Sequence, residues 1–161
     1  MDVTVLFLLV PLLSAGVSFA SGLFVLVQEP RNIINRSFAI LCFVLSLSVF
    51  STFELWHAKT LETAVFWSKA GATWPLTAIP LLYFIFTATG KANLLRKPWM
   101  IITVYLPPLA FTGLGIFTDL LAGLPEKVSW GYINGLPASP LAWNLATWWL
   151  VAVFVASVVL T

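Results

Sequence analysis

Four ionisable side chains fall within apolar stretches or at their ends and could do chemistry: Glu54, His57, Lys69 and Asp119. Ser46, Phe50, Glu54 and His57 follow helical spacing. So do Lys69, Thr73 and Thr77, which end beside Pro80, so two polar stripes could face each other across a pair of helices. With Trp74, with Trp130 and Tyr132 from the longest connection, and with Asn144, these residues form the candidate ligand-binding set: Glu54, His57, Lys69, Trp74, Trp130, Tyr132 and Asn144. The site expected from them opens outward, with Glu54 and Lys69 as a polar wall, Trp74 below, and Trp130 and Tyr132 closing over it. A partly apolar pocket with a few convergent polar groups is the usual form of a small-molecule site. The bland alternatives are an interfacial Glu54–Lys69 ion pair and a solvated His57 in a short outer turn. Asp119 marks the outer end of its span.

Catalysis is not legible in these residues. One histidine makes no metal site, and no zinc spacing, glycine-rich phosphate loop, nucleophile elbow or Ser-His-Asp constellation can be found. No catalytic residue, metal or cofactor is therefore expected. The lone cysteine, Cys42, falls inside an apolar run and reads as packing.

The elements that position these residues belong in lipid. Of the 161 residues 60% are hydrophobic and 9% charged, and the apolar runs are about 20 residues long, as bilayer spans require. The expected fold is an all-α integral membrane protein: a bundle of about five transmembrane helices forming one domain over 1–161. The spans cover about 3–27, 37–56, 64–89, 99–121 and 141–160. Ser18-Phe19-Ala20 faintly resembles a signal-peptide cleavage site. The chain start, however, carries Asp2 and no basic residue, and the apolar run is too long, so it is read as a helix. Ser14, Ser18 and Gly22 recur every four residues and would let a neighbouring helix approach closely.

Arg31 and Arg36 lie in one short loop, and Lys91, Arg96 and Lys97 in another; the alternate loops hold fewer bases mixed with acids. The positive-inside rule then puts the N-terminus outside the cell membrane and these loops inside. Trp56, Trp99 and Trp143 fall where an aromatic belt would lie. Glu54 sits about 12 Å from the span's centre, near the interface. The net charge of +2 comes largely from the inner loops, so the basic residues act as topology signals and contacts to lipid headgroups. Nucleic acid is not an expected partner, for no basic soluble face exists.

Two segments depart from a plain bundle. Proline removes a backbone donor, so Pro75 and Pro80 should free the carbonyls of Gly71 and Leu76, and Pro107 and Pro108 argue likewise for the fourth span. A loosened helix can bend between two packings, although a fixed kink is the simpler alternative. The connection AGLPEKVSWGYINGLPASP, 122–140, is long and rich in glycine and proline, and Val128, Trp130, Tyr132 and Ile133 could build a strand pair within it.

The runs NRSFAILCFVLSLSVFSTFELW and AVFWSKAGATWPLTAIPLLYFIFTATGK, the Gly-Tyr-containing connection and the apolar fifth span together resemble the N-terminal seven-helix membrane region of sensor histidine kinases. The resemblance covers roughly residues 30 to 160. It implies an extracytoplasmic N-terminus and a cytoplasmic output region, often a PAS domain followed by a kinase core, and a homodimer formed through the full-length kinase. The expected role is thus a sensory input module that detects an extracytoplasmic or membrane-borne small molecule. Five spans in place of seven make the chain read as a fragment, and it carries no kinase motif, so it is not expected to be an enzyme by itself. The rival is part of a transporter or channel, since broken helices also serve carriers. Against that, no charge lies near the midplane of a span, where a coupling-ion site would be expected.

Overall fold

The computed structural model describes residues 3–159; Asp2 and Leu160 lie outside them. Six α-helices and one hairpin follow in chain order: α1 (Val3–Gln28), α2 (Ile33–His57), α3 (Leu61–Gly71), α4 (Ala78–Ala88), α5 (Pro98–Phe117), β1 (Gly123–Val128), β2 (Gly131–Gly135) and α6 (Pro140–Val159). Single 3-10 turns at Trp74–Thr77 and Ala92–Arg96 join α3 to α4 and α4 to α5.

Four helices are long and apolar enough to cross a membrane: Leu9–Gln28, Ile33–His57, Leu61–Ala88 with its break, and Pro98–Phe117. The fifth expected span, 141–160, falls on the apolar helix α6, Pro140–Val159, with its last expected residue outside the described ones. Only 17% to 33% of each long apolar window is buried inside the protein. Leu13, Phe24, Ile102 and Trp148 are each more than 60% exposed, a surface that water would not tolerate and acyl chains would cover. By this measure the chain is a mostly helical protein with four helices that are candidates to cross a membrane.

Caps in the sequence set the boundaries. Asn32 Oδ1 accepts from Ile34 N at 2.9 Å to start α2. Thr60 and Thr63 form a reciprocal capping box at the start of α3. Pro98 opens α5 at its first position, where no backbone donor is needed.

The α1–α2 pair is tight. A Cβ at Gly22 would lie 2.8 Å from Cys42 Cβ, Ser46 Oγ donates to the Ala15 carbonyl at 2.8 Å, and Phe19 packs on Phe43. The seam is Pro11, Ala15 and Gly22, all buried, whereas Ser14 is exposed. Of the expected Ser14–Ser18–Gly22 stripe, Gly22 is buried, Ser18 is half-buried and Ser14 is exposed. The contact needs the turn of α1 that presents Ala15, and four-residue spacing drifts off that face.

The third span does break. α3 ends at Gly71, Thr73 N bonds back three residues to Ala70 O, and Leu76 N bonds to Thr73 O. Pro75, which is fully buried, has no N–H to return to Gly71. Thr73 Oγ1 caps Ala70 O at 2.8 Å and Thr77 Oγ1 caps Trp74 O at 2.7 Å, so hydroxyls take over carbonyls that the break would strand. Pro80 is the third residue of the restarted helix α4, where its missing donor costs nothing. By contrast α5 runs continuously through Pro107 and Pro108. It packs on the break at close range, with the Gly115 Cβ position 2.8 Å from Ala72 Cβ.

Two apolar clusters hold the ends of the bundle. Leu82, Phe86, Leu95, Met100 and Val104 join α4 to α5 beside the basic 3-10 turn. At the other end Leu55, Ala64 and Tyr132 join α2, α3 and the hairpin.

Candidate functional site

The site builds up from the hairpin. β1 and β2 pair antiparallel, with Glu126 opposite Ile133, Lys127 opposite Tyr132 and Val128 opposite Gly131, and with an irregularity between Gly123 and Glu126. The base of the connection is clipped by Ala138 N donating to Asp119 O at 2.9 Å. The hairpin rests on protein. Tyr132 is buried against Leu55 and Ala64, Trp130 meets Trp56 edge-on at 5.7 Å, and Gly131 lies so close to Trp56 that a Cβ there would sit 1.7 Å from its carbonyl oxygen. From β2 the Asn134 side chain reaches down to α3, where Ser68 Oγ donates to Asn134 Oδ1 at 2.7 Å.

Beneath this cap is a cavity of about 250 Å³ lined by Ser48, Val49 and Thr52 of α2, Ser68 and Gly71 of α3, Ala72, Trp74, Leu121, Ala122, Asn134 and Trp143. Helical spacing puts Ser48 and Thr52 on one face of α2 and Ser68 and Gly71 on one face of α3. The break turns Trp74 toward α6, where its ring lies 5.6 Å from that of Trp143 with the planes inclined at 60°. None of the lining residues is charged.

The ionisable residues expected here stand elsewhere. Lys69 does not form a wall with Glu54. Its ammonium donates to Asp119 Oδ1 at 2.7 Å and to the Thr118 carbonyl at 2.6 Å, tying α3 to the C-terminus of α5. A cation at a helix C-terminus meets both the carboxylate and the unpaired last carbonyls, a combination that Glu54 could not match. Glu54 stays half-buried on α2, away from the cavity lining. His57 is exposed, its ring 4.2 Å from that of Phe53 and its Nδ1 2.8 Å from the Phe53 carbonyl. Trp130 and Tyr132 belong to the hairpin's seating, and Asn144 is exposed on α6 beside Trp143, which does line the cavity. Of the expected set, Trp74 borders the cavity.

Sequence reasoning missed Ser48, Thr52, Ser68, Asn134 and Trp143. Ser48 and Thr52 are one helical turn apart and were legible as a polar pair. Asn134 and Trp143 gave no signal, because their role depends on how the hairpin and α6 fold back. Among the described residues no cluster of His, Cys, Asp or Glu could hold a metal ion. The chain matches no family model, no curated protein and no solved structure, so the cavity's chemistry rests on its own residues.

Proposed function

We propose that this chain is a membrane-embedded sensory input module, in which a small molecule occupies the cavity beneath the hairpin and the broken third helix carries the response. The observation that supports this reading is the coincidence of cavity and break: Gly71, Ala72 and Trp74 line the one and form the other. A ligand shifts a conformational equilibrium only through its differential affinity for the two states. Here it would touch the segment whose helical bonds are already interrupted, the part of the bundle that changes packing at least cost. α5 would feel the change through the Gly115–Ala72 contact, and α4 would carry it toward the basic turn at the opposite end.

The resemblance to the membrane region of sensor histidine kinases makes the recipient a cytoplasmic kinase, with the N-terminus outside, the hairpin outside and the basic turn inside. The rival, a carrier, is favoured by the broken helix alone. The reading frame continuing past residue 161 separates the two. A PAS or kinase-like region supports the sensor, and further spans forming an inverted repeat would sink it. In a kinase-bearing protein, Ser48→Leu, which fills the cavity, is expected to change basal autophosphorylation while the protein still reaches the membrane. Unchanged phosphorylation with a filled cavity would count against the reading.

A further inference from the structure

We propose that the cavity takes a neutral, hydroxyl-bearing aromatic molecule of the phenol or catechol class. This rests on the reading of the cavity as a ligand site and adds the chemistry of its occupant.

The polar lining is rich in acceptors. Ser48 Oγ donates its proton to Val44 O at 3.1 Å, Thr52 Oγ1 to Ser48 O at 3.3 Å and Ser68 Oγ to Asn134 Oδ1 at 2.7 Å. A hydroxyl has one proton and two lone pairs, so each keeps acceptor capacity and has no donor left. Gly71 also lines the cavity, and Pro75 offers no N–H to its carbonyl. Among the lining side chains, donors not already spent are carried by the Asn134 amide and the two indoles. An occupant that brings hydrogens to give finds partners in these hydroxyl lone pairs.

It must also be uncharged. The lining holds no Asp, Glu, Lys or Arg, and the nearby Lys69 and Asp119 neutralise each other at 2.7 Å. An ammonium or carboxylate would give up its hydration without a counter-ion, the costly form of burial. Finally, the occupant should present a flat ring. Trp74 and Trp143 form an inclined aromatic wall, which suits offset or edge contacts with a third ring. The volume of about 250 Å³ suits a single substituted ring, since a cavity of roughly 150 Å³ can hold benzene.

The test uses the whole chain in lipid nanodiscs and equilibrium dialysis of labelled catechol, phenol, benzylammonium and benzoate, with empty nanodiscs subtracted. Saturable one-to-one binding of catechol is expected, with phenol weaker and the two ions at least about tenfold weaker still. Thr52→Val and Ser68→Ala each remove an acceptor and should weaken catechol about tenfold, as the loss of one hydrogen bond would. Trp143→Leu should weaken it further. Thr52→Val keeps the side-chain shape and does not touch the hairpin, so it stays informative if Ser68→Ala disturbs the Asn134 contact. If benzylammonium or benzoate binds tightest and Trp143→Leu removes that binding, the ligand class is overturned while the cavity stands as a site. If no probe saturates, or if catechol binding ignores both Thr52→Val and Trp143→Leu, the proposal falls and the absence of any saturable probe counts against the sensory reading as well.

Discussion

Lys69 shows how one side chain chooses among partners. Helical spacing placed it opposite Glu54, yet its ammonium reaches the end of α5, where Asp119 and the Thr118 carbonyl both accept from it. The side chains of the pair are 23% and 44% exposed, so the Coulombic part is screened and worth less than about 1 kcal/mol. Asp119→Asn should then cost little in thermal unfolding of the detergent-solubilised protein. Lys69→Met should cost more, because it also leaves the Thr118 carbonyl without that donor; an equal or smaller loss for Lys69→Met would mean that the carbonyl bond contributes nothing. A second residue invites the opposite change. Thr112, buried in α5, has a hydroxyl without a hydrogen-bond partner. An unsatisfied buried hydroxyl costs about 1–3 kcal/mol, and valine has nearly the same shape. Thr112→Val is therefore expected to raise the unfolding temperature, and a lowered one would point to a water or partner serving that oxygen.

At the scale of elements, the hairpin and the broken helix define the site together. The hairpin is held by side chains and by one close backbone approach, at Gly131 over the Trp56 carbonyl. Gly131→Ala places a methyl group 1.7 Å from that oxygen, so the strand must lift. We expect faster proteolysis within 123–135 and loss of Trp130–Trp56 contact in this variant, while the apolar cluster around Phe86 and Met100 keeps the remaining helices together. Unchanged proteolysis would show that the hairpin is not seated as described. The prolines of the third and fourth spans behave differently. Pro75 falls fourteen residues into the apolar stretch that starts at Leu61, deep inside a helix that must lose a bond, and threonines at 73 and 77 stand ready to cap the exposed carbonyls. Pro107 and Pro108 lie in a helix that remains continuous.

For the whole molecule, the basic turn at 91–97 and the hairpin lie at opposite ends of α5, whose 20 residues span about 30 Å, close to the thickness of a bilayer's hydrocarbon core. If the loop charges set the orientation, a cysteine at Asn93 in a Cys42→Ala background is labelled only from the cytoplasmic side, and one at Ser129 only from outside. Labelling of both from one face would refute the spanning of α5, and the reversed pattern would overturn the orientation and the sensor reading with it.

Much of this was open to sequence alone, because lipid imposes strong local rules. Apolar runs must become helices that satisfy their own backbone groups, so the spans up to 121 could be placed within a few residues, and glycine and proline marked out the hairpin connection. Pro75 marked the place of the break through its missing donor, although the same loss at Pro107 and Pro108 leaves α5 continuous. What the tertiary structure decided was partnership. Whether α1 meets α2 through Ser14 or Ala15, whether Lys69 finds Glu54 or Asp119, and whether Trp143 or Asn144 faces the cavity all depend on helix rotation. A uniformly apolar helix carries little amphipathic signal to fix that rotation. The cavity is the clearest case: its lining comes from α2, α3, the break, the segment after α5, β2 and α6, and only packing brings those short polar side chains to one place.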